Sequence, residues 1–536
     1  MASKLAPVWQ DKYIGDMTEQ QAKLIMEIRD SDNIKGLERM IFNFPPDMVA
    51  EALDRDISVL QLVREKGLNA EDYLGKLKSY QTTGTAFMYA SPRSMIADGC
   101  GLGKTAEIAG LINLLRAKGE INRFLMAVEN AAVGQTVAEL MKFTGLKVVA
   151  IPPEAANLRK CMAGINWAEI GGIVIKHSTL RSDAFSQTLA LNLNEHGKCK
   201  LFDTFILDES SVIKNQNSKI YKYTLNICNI VDRVHMMNAT AFETNIMDIY
   251  YQLDMINEKL LPTKSVINRE YCTFTRGTYW TKQGGKAKMN WKWDLTGYKN
   301  QEDFKKKLQL VYFGRSKQDI GIDAPHVYKV YEIEPSGNQS LAINKGYRYN
   351  EVLNCPSLIP ELKIPTDRKK VPKLEKLLSL IENEFTDSQV MVYAFHIDSQ
   401  KAIKHELEKI GRKPVILNGS LTDSEKYEVQ SKFNAGEYDV IITNIKKSLN
   451  LNGADVCIFY SVLTNPATMF QTASRIDRNT DDRIKTFILL LYYGTDEYRF
   501  FTDVVKSRAK DARDLTIDSK TTVDYFIDAM MTASEE

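Results

Sequence analysis

The eight residues DGCGLGKT, 98–105, narrow what this chain can fold into more than any other stretch. A short apolar run (Met95, Ile96, Ala97) precedes them, and a helix-forming run, 106–115, follows. A glycine-rich turn between a strand and a helix belongs to α/β architectures with a parallel sheet. It also binds polyphosphate. Gly101 and Gly103 let backbone N–H groups approach phosphate oxygens, and Lys104 reaches the outer phosphates. The Thr105 hydroxyl suits Mg²⁺, and the helix N-terminus adds positive potential. Leu102 lies between the two glycines. The expected chemistry is binding and hydrolysis, or transfer, of a nucleoside triphosphate.

The rest of the chain agrees with that class. Apolar strand candidates at 123–128, 147–151, 172–176, 203–207 and 234–237 alternate with helical stretches. The alternation lapses between 261 and 367. It returns at 389–394, 414–417, 439–443, 456–460 and 486–491. Two α/β lobes are therefore expected, at 76–260 and 368–515. A helical N-terminal region (1–75), an inter-lobe segment (261–367) and a tail (516–536) with a short helix at 523–531 complete the chain. At 536 residues the length accommodates about three domains. No apolar run reaches the ~20 residues of a membrane span, and the N-terminus lacks the apolar core of a secretory signal. The seven cysteines form no CxxC pair. That argues against a zinc or disulfide framework and suits a reducing cytoplasm. A net charge of +2 neither implies nor excludes nucleic acid.

Three further clusters carry chemistry. In LFDTFILDESSVIKN, 201–215, a strand ends in Asp208-Glu209, on the ligand side of a parallel sheet. Asp208 would hold Mg²⁺, and Glu209 would orient and deprotonate water. In LKSYQTTG, 77–84, Gln81 offers a donor and an acceptor that suit the edge of adenine. In QTASRIDRNT, 471–480, Arg475 and Arg478 are three apart and would share a helix face, positioned to meet charge on a γ-phosphate.

In this order the clusters resemble the superfamily 2 helicases, most closely the Swi/Snf-like ATPases, from about 77 to 501. LKSYQTTG is similar to the adenine motif LxxYQxxG, DGCGLGKT to motif I, and DESSVIKN to the DExH-type motif II. MNATAFETN, 237–245, resembles motif III. FGRSKQDIGIDAP, 313–325, resembles the inter-lobe LRRxKxDVxxxLP segment. SLNLNGADVCIFY, 448–460, resembles motif V, and QTASRIDR motif VI. There are departures: Ser210-Ser211 in motif II, Ala241 in motif III, Lys446-Lys447-Ser448 in motif V and Asn479-Thr480 after motif VI. They point to a divergent member, of phage or viral type.

The resemblance implies two RecA-like lobes with ATP and Mg²⁺ between them. Lys104, Thr105, Asp208 and Glu209 come from one lobe and Arg475 and Arg478 from the other. Thr240, Asn450 and Gln471 would couple the site to the track. That track would be duplex or branched DNA, bound without regard to sequence, by a monomer serving replication, transcription or recombination proteins. An RNA helicase and an ATP-gated scaffold subunit are the alternatives. A hairpin candidate, TYWTKQGGKAKMNWKW, 278–293, is the expected DNA contact, through Lys282, Lys286, Lys288 and Trp291. Packing of its aromatics on neighbouring helices is the competing reading.

Overall fold

A computed structural model describes residues 77–239, 246–340, 371–502 and 522–535, apart from 258–259, 284–285, 302, 305–307, 309–310, 316, 318–325, 338, 446–448, 464, 478–482 and 500. The helical region expected over 1–75 lies outside the described residues. Apart from two four-residue segments, 99–102 and 242–245, the chain divides after Arg315 into two compact units.

In the first unit, β1 (Arg93–Ile96), β2 (Phe124–Val128), β3 (Val148–Ile151), β4 (Gly172–Lys176), β5 (Thr204–Leu207), β6 (Arg233–Met237) and β9 (Tyr312–Phe313) form one parallel sheet. The strand order is β3-β4-β2-β5-β6-β1-β9. The central strand β2 reads FLMAV and is buried at every residue, because helices cover both faces of such a sheet. The helices Ser79–Ala90 and Lys104–Ala117 contribute Phe87, Met88, Ile108, Leu111 and Leu115 to this core. Gly172 sits opposite Phe124 in the ladder, and a Cβ there would overlap the Phe124 ring.

A separate antiparallel ribbon pairs β7 (Cys272–Gln283) with β8 (Lys286–Tyr298). Its innermost pair is Gln283 with Lys286, as the hairpin reading expects, but the strands run well beyond 278–293. At ~3.3 Å per residue it is about 40 Å long. A register shift falls between Thr273 and Phe274.

The second unit holds β10 (His326–Ile333), β11 (Val390–Tyr393), β12 (Pro414–Leu417), β13 (Val440–Thr443), β14 (Val456–Phe459) and β15 (Lys485–Tyr492). They form a parallel sheet in the order β10-β15-β14-β11-β13-β12, with apolar clusters on both faces. Thr422 and Asn465 cap the helices Asp423–Asn434 and Pro466–Ala473, each side chain taking an N–H that the first turn leaves unpaired. Lys373, fully buried, donates to both carboxylate oxygens of Glu497 (2.7 and 2.8 Å) and to the Tyr460 carbonyl (2.9 Å). The tail helix is longer than expected, Thr522–Glu535, and packs Phe526, Ile527 and Met530 into the same unit.

Two strands contradict the expected lapse over 261–367. β9 extends the first sheet beside β1, and β10 pairs along its whole length with β15. β9 has only two residues, too few to show a period. β10 is half-buried, with Lys329 and Glu332 breaking its apolar run.

Candidate functional site

The phosphate loop follows β1. Strands β1, β5 and β6 are parallel, so their C-terminal ends lie along one edge of the sheet, where open α/β folds bind ligands. Gly101 (φ +84°) and Gly103 (φ +88°) adopt left-handed conformations, which glycine accepts without a Cβ penalty. Leu102 is buried, and the helix starts at Lys104. The Lys104 ammonium is drawn back to the loop, donating to the Asp98 carbonyl at 2.7 Å. Thr105 lies in the helix's first turn.

Gln81 is on the helix Ser79–Ala90. Its Oε1 accepts from the Lys78 N–H at 3.0 Å, and a Cβ on Gly103 would overlap its Nε2. Gln81 and the loop are thus packed together, and its acceptor already serves the helix start.

Beneath the loop is a charged cluster that sequence reasoning did not find. Asp98 and Glu107 are both fully buried and share one guanidinium. Arg315 Nη2 lies 2.5 Å from Asp98 Oδ2 and 2.8 Å from Glu107 Oε1. The guanidinium also donates to the Tyr80 carbonyl and lies 4.5 Å from the Phe313 ring centre. Burial, and then the Asp98 charge, push the Glu107 carboxyl well above the usual range. Glu107 Oε2 has no hydrogen-bond partner among the described residues. A Cβ on Gly84 would come within 2.8 Å of this carboxyl group, so the glycine of LKSYQTTG makes room for Glu107. The visible signal was Glu107, an acid on the helix face it shares with Leu111 and Leu114.

β5 delivers Asp208 and Glu209. Glu209 has φ +48°, a left-handed conformation that costs a non-glycine residue roughly 1–2 kcal/mol. Its N–H donates to Asp208 Oδ1 at 2.9 Å. His177 Nε2 hydrogen-bonds the Asp208 carbonyl at 2.8 Å. Ser210 donates to Gln252 at 2.5 Å, so the first of the two departing serines serves a buried contact. Burial, and then the neighbouring Glu209 charge, raise the Asp208 carboxyl to about 7, while Lys104 pulls it down. An acid raised in this way suits a divalent cation, which would restore the ionised form. The sign of its effect on stability follows. Between the unfolded value near 4 and about 7, the folded chain binds the extra proton. Asp208 therefore destabilises the fold above pH 7 and ceases to do so as pH falls. Asp208→Asn is expected to raise the first thermal transition by about 2–4 °C or more at pH 8, with little gain at pH 5. Equal shifts at both pH values would refute this.

In the second unit, Gln471 is buried on the helix Pro466–Ala473. That helix ends at Ala473, which corrects the expectation that Arg475 and Arg478 share a helix face. Residues 474–476 form a turn in which Arg475 N–H bonds to Thr472 O and Ile476 N–H to Ala473 O. The Arg475 carbonyl accepts from the Leu451 N–H at 3.1 Å, and Arg475 Nη1 donates to Leu449 O at 3.5 Å. Arg475 is thereby placed beside Asn450. The Asn450 N–H donates to Gln430 Oε1 at 2.9 Å, and its Oδ1 has no hydrogen-bond partner among the described residues. Thr240 and Arg478 lie outside the described residues. Lys282, Lys286, Lys288 and Trp291 are on the ribbon strands. Among the described residues, no group of three His, Cys, Asp or Glu side chains could hold a metal, and no helix is long and apolar enough to cross a membrane.

Residues 370–480 match the family described as helicase conserved C-terminal domain. A Xenopus tropicalis protein named SWI/SNF-related matrix-associated actin-dependent regulator of chromatin subfamily A-like protein 1 is 22% identical over 90% of this chain and 50% of its own length. The putative ATP-dependent helicase/translocase YwqA of Bacillus subtilis is 22% identical over 84% of this chain and 49% of its own. This chain thus spans about half the length of these relatives. The Sulfolobus solfataricus SWI2/SNF2 ATPase core in complex with dsDNA aligns with 87% of this chain and 97% of its own. It shows 17% identity and a TM-score of 0.39. Over residues 370–480 the chain thus matches the helicase C-terminal family, and along most of its length it is similar to proteins named as SWI/SNF-related regulators and helicase/translocases.

Proposed function

We propose that the chain hydrolyses ATP and uses the energy to move along, remodel or unwind DNA. One observation carries the ATPase reading: a lysine-bearing phosphate loop and an Asp-Glu pair stand at the same edge of one parallel sheet. Lys104 and the helix N-terminus bind the phosphates. Thr105 and Asp208 would hold Mg²⁺, which would offset charge on the phosphate oxygens. Glu209 takes a proton from the attacking water as its oxygen bonds to the γ-phosphorus, while the bond from that phosphorus to the bridging oxygen breaks and ADP leaves with the bridging electron pair. Arg475 and Arg478 meet the charge that develops on the transferred group. Thr240, Asn450 and Gln471 relay the state of the nucleotide to the track.

The motor reading draws on the helicase/translocase naming of the Bacillus relative, and the DNA reading on the ribbon. Residues 276–293 carry five cations and no acid. Basic residues interleaved with aromatics suit phosphates and unstacked bases.

The test is ATP turnover with duplex, forked and single-stranded DNA and with RNA, alongside strand displacement. DNA should accelerate hydrolysis, and the effect should fade as salt rises. Turnover that ignores DNA would sink the motor reading, and stronger stimulation by RNA would replace the track.

A further inference from the structure

In SRIDR, 474–478, a carboxylate sits between two arginines. Left to itself, a carboxylate so placed pairs bidentately with a guanidinium. Such a pair would use the arginine's charge before a phosphate arrived.

The second unit prevents this. Lys317 Nζ lies 2.7 Å from Asp477 Oδ2 and 3.3 Å from the Asp477 carbonyl. His326 Nε2 approaches the same Oδ2 at 3.3 Å from the start of β10. Lys317 and Asp477 are both buried. Burial alone would raise this carboxyl, but the His326 contact and the Lys317 charge outweigh it and hold it at about 2. Arg475 has no carboxylate partner among the described residues. Its Nε is buried without a hydrogen bond, and its weak contact is the 3.5 Å one to Leu449 O. Two residues from a carboxylate, that guanidinium pairs with no acid among the described residues.

We propose that Lys317, aided by His326, is a positioning residue for hydrolysis: it sequesters the Asp477 carboxylate so that Arg475 keeps its charge for the nucleotide. The inference rests on the ATPase reading above. Lys317 itself touches no substrate.

The experiment is steady-state ATP turnover, with DNA, of the full-length chain and of Lys317→Met, Lys317→Arg, Asp477→Asn and Lys317→Met/Asp477→Asn, with thermal unfolding of each. Lys317→Met should lower kcat about 10- to 100-fold and leave KM for ATP within about threefold, as expected when charge acts in the transition state. Lys317→Arg, which still holds the carboxylate, should retain most of the rate. The double variant should return to within about fivefold of wild type, since nothing then needs sequestering. A double variant as slow as Lys317→Met, or a Lys317→Met at the wild-type rate, overturns the proposal. Should Lys317→Met fail to fold, the double variant decides by its own rate. A wild-type chain without ATP turnover would instead defeat the ATPase reading itself.

Discussion

Lys104→Ala is expected to reduce ATP turnover to background, a loss of about 10³-fold or more. The side chain starts the helix Lys104–Ala117 and is held 2.7 Å from the Asp98 carbonyl, at the mouth of a loop whose other donors are backbone N–H groups. Truncation removes the loop's cation and leaves the glycine geometry alone, so the fold should persist. Glu209→Gln should divide the functions differently, keeping nucleotide affinity and losing hydrolysis. Phosphate release and equilibrium binding of a fluorescent ATP analogue measure the two. Wild-type phosphate release by Lys104→Ala would show that the assigned loop is not the site.

Arg315→Ala should give the largest loss of stability, about 3–5 kcal/mol, since it strands two buried carboxylates without their shared cation. The deficit should depend on pH. The Glu107 carboxyl is already raised by burial and by Asp98, and losing Arg315 raises it further. Protonation therefore relieves the variant as pH falls, and its deficit should be smaller at pH 5 than at pH 8. Adding Glu107→Gln should recover part of the loss at pH 8. Denaturant unfolding followed at both pH values checks this. A midpoint at pH 8 equal to that of wild type would refute the claim that Arg315 holds the cluster.

Local chemistry was legible in the sequence where a short stretch contains all of it. DGCGLGKT holds its own turn, helix start and lysine, and ILDE holds its own strand end and acids. The fully buried strands β2, β5, β13 and β14 were visible as apolar runs between turn residues. What escaped is made by distant pairing. Arg315 meets Asp98 across 217 positions, and Lys317 meets Asp477 across 160. No spacing rule connects such residues. The resemblance flagged FGRSKQDIGIDAP without saying what its cations do. Arg315 belongs to the first unit's buried acids and Lys317 to the second unit's arginine turn. The helix expected through Arg478 failed for a local reason. After Ala473 the bonds shorten to i→i+3, and the Arg475 carbonyl is taken by Leu451.

The pairing of β1 with β9 has a consequence for biosynthesis. Met95 and Ile96 wait for Tyr312 and Phe313. At roughly 5–20 residues per second, the outer edge of β1 stays open for about 10–40 s as the ribosome delivers the intervening chain. An unpaired strand edge invites association with other chains. Translation speed between β1 and β9 should therefore set how much of this protein matures and how much aggregates.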